Sequence, residues 1–260
     1  MTFLIADKKS SPVRAQCVRV LAALLACTGL WAHAQKPNLV LEVGAWPPYI
    51  DFAAPNKGAV SKIVLEAFAA AGVSAQLKEV SWKAAEEHLG ERGAVSFAWI
   101  KTPERVAQWR YSDPICTSTS FLVGRRAAPV RWASMADLKG MKVGWSRGYS
   151  YGDKFEALRP DLQVFEMPSD EIGLRRLLAG SVDAMPMDSL VAKELLQSKF
   201  SKAEAAELYL DARPEQAIAR ADLHVVCDLR SSTCAKTLAL FNKGLSKHRK
   251  NQVTASCAAD

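Results

Sequence analysis

Long apolar runs are missing from this sequence of 260 residues: its N-terminal apolar stretch, residues 20–32, holds only 13. A helix needs about 20 such residues to cross a bilayer, so a polytopic membrane protein is excluded. Histidine is scarce, with four in the chain, and His88, His224 and His248 are scattered. The cysteine spacing does not suit a zinc knuckle either, so neither a metal site nor a cofactor is expected. No Lys/Arg stripe with interleaved aromatics is present, which argues against a nucleic-acid surface. The cluster Lys247-His248-Arg249-Lys250 reads as a solvated helix end, where cations suit the helix dipole. Compositional bias is absent too: 49% hydrophobic and 23% charged residues exclude disordered and collagen-like chains. What remains is a globular chain long enough for one large domain or two small ones, each with its own core.

Lys8, Lys9, Arg14 and Arg19 precede the apolar run, and Ala32-His33-Ala34 places small residues where a signal peptidase reads them. Residues 1–34 are therefore expected to be a secretory signal peptide, cut to leave Gln35 first. Leu24-Leu25-Ala26-Cys27 offers a competing lipoprotein-type cut at Cys27, but the longer apolar run and the A-x-A triplet favour the first. Removing the segment takes the net charge from +7 to +4. Export would place Cys116, Cys227, Cys234 and Cys257 in an oxidising compartment, where three pairings are open. Cys227 and Cys234 flank a polar turn and are the first candidates for a bridge.

The rest of the sequence alternates short β-type runs with helical patterns, as βα units around mostly parallel sheets do. Residues 39–43 read as a strand, followed by an aromatic loop and a helix over residues 60–71 ended by Gly72. Further strands are expected at 77–80 and 94–100, with Ser81 capping a helix between them and a short helix starting at Pro103. After an extended segment at 118–124 the alternation begins afresh. Strands are expected at 142–145, 162–167, 182–185, 207–210 and 223–226. Helices are expected to open at the turn 148–152, at Ser169 and at Asp188, and over 231–247. Two similar halves emerge without a sequence repeat.

The order and spacing of several motifs resemble one family. They are Gly44-Ala45-Trp46-Pro47-Pro48-Tyr49, Glu66-Ala67-Phe68-Ala69-Ala70-Ala71-Gly72, Thr102-Pro103-Glu104-Arg105 followed by Tyr111-Ser112-Asp113-Pro114, Asp137-Leu138-Lys139-Gly140-Met141-Lys142-Val143-Gly144, and Leu178-Ala179-Gly180-Ser181-Val182-Asp183-Ala184 with Asp188 beyond. The chain thus resembles periplasmic solute-binding proteins of family 3, the amino-acid-binding type that serves ABC transporters. The resemblance implies an α/β, two-lobe periplasmic binding protein fold (type II), with the lobes joined by two crossing strands. Lobe 1 would comprise residues 35–119 plus 215–260, and lobe 2 residues 120–214. It also implies a periplasmic monomer that is not an enzyme, holds a small carboxylate-bearing solute in its cleft and meets an ABC permease in the inner membrane.

By that resemblance Arg105 lies where family members clamp a ligand carboxylate, and a planar guanidinium suits the task through two parallel hydrogen bonds. The turn at 148–151, with Tyr149 and the Ser150 hydroxyl, is expected to offer backbone N–H groups at a helix start to the same carboxylate. Asp188 matches the residue that receives the ligand amine, with Asp183 the lesser carboxylate. Trp46, Tyr49 and Trp99 are expected to wall the pocket with Ala98 beside them, and Trp82 is either wall or core. Phe97-Ala98-Trp99-Ile100 stands where many members carry small hydroxyl residues, and the usual acid near residues 93–95 is absent. A drier, narrower pocket is expected there.

Three other readings compete. Gly144-Trp145-Ser146-Arg147-Gly148 fits the G-x-S-x-G pattern of hydrolases, with Asp183 or Asp188 and then His224 or His248 in order, but no oxyanion-loop glycine cluster accompanies it. A dehydratase on the same fold would need a cleft acid, with Glu79, Glu104 and Asp188 as candidates. A ligand-sensing module for a membrane partner would leave no distinguishing mark in the sequence.

Overall fold

The computed structural model of the chain describes residues 38–250 and Cys257, so the expected signal peptide, its cut and Cys27 lie outside the described residues. Strand β1 (Asn38–Val43), helix α1 (Ala59–Ala70), β2 (Ser74–Glu79), α2 (Trp82–Arg92), β3 (Val95–Trp99), α3 (Pro103–Val106) and β4 (Trp109–Tyr111) form the first part. The long strand β5 (Cys116–Arg125) leads to β6 (Lys142–Ser146), α4 (Asp153–Leu158), β7 (Gln163–Met167), α5 (Asp170–Leu178), β8 (Ala184–Asp188), α6 (Ser189–Ser198), α7 (Lys202–Glu207) and β9 (Leu208–Leu210). The equally long β10 (Ala219–Asp228) and helix α8 (Cys234–Lys250) follow.

Strands run in the order β2-β1-β3-β10-β5-β8-β6-β7, with β4 beside β10 and β9 beside β5. β1 pairs in parallel with β2 and β3, and β6 with β7 and β8, so each half has its own parallel set. The antiparallel strands β5 and β10 join the halves, with Cys116 opposite Leu223 and Ser120 opposite Ala219. From His224 onward β10 instead pairs with β3 and β4. The domain division expected after residue 119 falls inside β5, and that after residue 214 falls in the short 3-10 turn Pro214–Gln216 ahead of β10.

Side-chain caps set several helix starts. Ser81 accepts from Ala84 N–H (3.1 Å), Thr102 from Arg105 N–H (3.3 Å) and Ser169 from Ile172 N–H (3.3 Å). Other boundaries differ from expectation. The strand expected at 182–185 is β8, two residues later, because Asp183 is used to bind the Lys142 N–H at 2.9 Å. The last strand spans ten residues rather than four, because its polar first half pairs with β5. The three-residue β4 and the helix α7 were not anticipated.

Helices α1 and α8 pack closely, with Phe68 and Phe241 centred 5.1 Å apart. Gly244 makes this approach possible, since a Cβ there would sit 1.8 Å from the Ala67 carbonyl oxygen. The second half has its own core, where Trp145 stacks on Phe155 at 5.5 Å and meets Tyr151 edge-on at 5.0 Å. Two disulfides are present among the described residues. Cys227–Cys234 ties the end of β10 to the start of α8, and Cys116–Cys257 anchors residue 257 at the start of β5, with Cα separations of 5.7 and 5.1 Å.

Candidate functional site

A cavity of about 760 Å³ lies between the halves, within the usual range for a small-molecule site. Arg105, Asp188, Ser150, Tyr149, Trp46, Trp99 and Ala98 all line it, as does Trp82. Tyr49 does not. It is 2% exposed and lies beneath the wall, where its hydroxyl donates to Asp188.

On the first-half side Arg105 rises from α3, a helix of one turn fixed by the Thr102 cap and Pro103 at its start. Its guanidinium lies over the Trp99 ring at 4.8 Å and the Trp109 ring at 5.7 Å, close enough for cation–π attraction. Trp82 continues this aromatic group, edge-on to Trp99 at 5.2 Å, and its Nε1–H donates to the Ala45 carbonyl. Gly44 makes room for it, because a Cβ there would sit 2.6 Å from the indole. Ala98 has φ +66° within β3, with Phe97 opposite Val225 and Trp99 opposite His224, so it is the extra residue of a bulge. An alanine held there costs about 1–3 kcal/mol, and such strain tends to collect at functional sites.

The opposing wall is the turn at 148–151. Helix α4 begins only at Asp153 with Gly152 as its cap, so Ser150 is neither a cap nor at the helix start. The Tyr149 N–H is used on the Ser146 carbonyl and the Tyr151 N–H on the Glu156 carboxylate. The N–H groups of Gly148 and Ser150 have no partner among the described residues. The Gly148 carbonyl, rather than an N–H, faces Arg105 and accepts from its Nη2 at 3.3 Å. A second contact spans the cleft where Trp46 meets Tyr149 edge-on at 6.4 Å.

Asp188 ends β8 and caps α6. Its Oδ1 accepts from Tyr49 OH (2.8 Å) and from the N–H groups of Leu190 (2.8 Å) and Val191 (3.2 Å), and its Oδ2 from Ser118 OH (2.7 Å). Tyr49 belongs to the first half and β8 to the second, so this buried bond also joins the halves. Burial, with the Asp188 charge adding to it, holds the Tyr49 phenol well above its ordinary pKa.

A second carboxylate on the same wall, Asp170, was not among the expected site residues. Asp170 lines the cavity and accepts from Ser146 OH and from Tyr149 OH, the latter at 3.1 Å. Burial pushes its carboxyl above the ordinary value. Nothing local distinguishes it from Glu171, and only its position beside Ser146 and Tyr149 does so.

Glu79 and Glu104 are exposed and outside the cavity, leaving Asp188 as the one cleft acid of the three named for a dehydratase. Among the described residues no histidine lines the cavity, and the Ser146 hydroxyl is bound to Asp170, so the hydrolase order does not assemble around it.

Comparison with protein-family models gives no match, and no curated protein matches. Solved structures do. A histidine kinase sensor domain with similarity to periplasmic binding proteins is 22% identical, with a TM-score of 0.67 over 83% of this chain and 92% of that one. The arginine-, lysine-, histidine-binding protein ArtJ from Geobacillus stearothermophilus is 21% identical, with a TM-score of 0.64 over 83% and 90%. An ancestral arginine-binding protein bound to arginine is 20% identical, with a TM-score of 0.65 over 85% and 95%. At these identities the likeness is one of fold: this chain has the two-lobe α/β fold of periplasmic binding proteins.

Proposed function

We propose that this chain is an exported, non-enzymatic solute-binding protein that closes over a small carboxylate-bearing solute, an amino acid or a relative, and delivers it to an ABC-type permease. The observation that carries the reading is the opposition of Arg105 and the 148–151 turn across one cavity, with the N–H groups of Gly148 and Ser150, which have no partner among the described residues, on the far side. A carboxylate entering there would replace the long Arg105 bond to a neutral carbonyl with charge-assisted ones from the guanidinium, and would accept from the turn as well. The ligand ammonium would approach Asp188 at Oδ2, which accepts one bond against three at Oδ1. Trp46, Trp82 and Trp99 supply apolar faces. They are needed, because micromolar binding takes about 8 kcal/mol and a charge-assisted bond contributes roughly 1.5–3.

Calorimetry with free amino acids tests the reading. Arg105→Ala removes two charge-assisted bonds, about 3–6 kcal/mol, and should weaken binding by about 10²–10⁴-fold. Unchanged affinity in that variant would overturn the site. The histidine kinase sensor domain among the structural neighbours favours a second reading, in which the liganded protein signals to a membrane partner. Loss of solute uptake on deleting the gene supports delivery, and intact uptake with a lost transcriptional response supports sensing.

A further inference from the structure

The cavity holds one more acid than a simple amino carboxylate needs. Asp188 is met by four donors, whereas Asp170 is met by two hydroxyls and forms no ion pair with Lys, Arg or His among the described residues. A carboxylate has about four acceptor positions, so roughly half of those on Asp170 stay open. Tyr151 lines the same cavity, and its buried hydroxyl meets no hydrogen-bond partner among the described residues. Tyr149 donates its proton to Asp170, so its oxygen lone pairs are open to a donor as well. Charge points the same way: the lining residues carry three cationic side chains, Lys83, Arg105 and Arg147, against four acidic ones, Glu86, Asp170, Glu171 and Asp188, one negative charge in excess. A carboxylate withdrawn from water without a cation is costly, and a cationic ligand group removes that cost.

We propose that Asp170, with the hydroxyls of Tyr149 and Tyr151 beside it, is a second cation subsite, so that the pocket selects a carboxylate bearing two cationic groups. The inference rests on the binding reading above. One ligand ammonium lies at Asp188 and the carboxylate at Arg105, and a second ammonium or a guanidinium donates to Asp170 and the tyrosine oxygens. Burial raises the Asp170 carboxyl more than its hydroxyl partners lower it, as befits an anion lacking a counter-charge.

The test is calorimetry of the purified chain with L-ornithine, L-lysine and L-arginine against L-norleucine, which replaces the lysine ammonium with a methyl group. The wild type should bind at least one of the three cations roughly tenfold or more tighter than norleucine. Asp170→Asn should reduce that ratio to about threefold or less. Tyr151→Phe, which keeps the carboxylate, should narrow it in the same direction and serves if Asp170→Asn does not fold. A wild type without the preference, or variants that retain it, would overturn the subsite. Norleucine binding that Arg105→Ala abolishes, without any cation preference, leaves the carboxylate reading standing and sinks only the subsite. Failure of all four compounds to bind sinks both.

Discussion

Replacing Tyr49 by Phe removes one hydroxyl and little else, since the ring keeps its buried place and no cavity opens. The lost bond is the 2.8 Å contact to Asp188 Oδ1. Asp188 would keep Ser118 and the two helix N–H groups, so its charge would not be stranded. A hydrogen bond to a charged group contributes about 1.5–3 kcal/mol net, and this one is buried, which places it in that range. For a domain of this size each kcal/mol moves Tm by about 2–4 °C, so Tyr49→Phe should melt about 3–12 °C below the wild type. Because the bond links the loop before α1 to β8 in the other half, the variant should also bind ligand more weakly, by favouring separated halves. Urea unfolding gives the stability change, and calorimetry on the same samples gives the affinity. A variant within about 0.5 kcal/mol of the wild type, with unaltered affinity, would refute the claim that this bond joins the halves.

Two further predictions follow from packing and from charge. Gly244→Ala should destabilise by about 3 kcal/mol, the upper end for overpacking, because its Cβ would fall 1.8 Å from the Ala67 carbonyl oxygen. Helix propensity alone predicts the opposite, a gain of about 1 kcal/mol, so a more stable variant in urea would show that the helices move apart freely. His224 is buried on the Ser112 carbonyl, and burial lowers its pKa, with Lys101 adding to the effect and Asp222 opposing it. Below about pH 6.5 the unfolded chain therefore takes up a proton that the folded chain resists, so this stability is present above that pH and is lost as pH falls. The stability difference between wild type and His224→Phe should shrink between pH 7.5 and pH 5, and parallel unfolding curves would refute the assignment.

Legibility in the sequence follows the range of the interaction. The caps Ser81, Thr102, Ser169 and Asp188 act over three residues and are visible in the chain itself. The β4 strand has no such local signal, because its three residues are extended by their pairing with β10. Arg105 was found through its motif. The placement of Tyr49 under the wall and the part played by Asp170 were not legible, because an aromatic residue after two prolines and an acid at a helix start have ordinary local explanations. Their roles depend on partners 139 and 24 residues away.

The sequence by itself determined the alternation of strands and helices and most helix starts, because periodicity, capping and turn chemistry are local properties of the chain. The tertiary structure decided which carboxylate is fully bonded and which is open, that the turn presents a carbonyl to Arg105, and that Tyr49 lies under the wall rather than on it. Those outcomes depend on groups brought together by β5 and β10, and hydrogen-bond satisfaction and desolvation exist only once such groups meet.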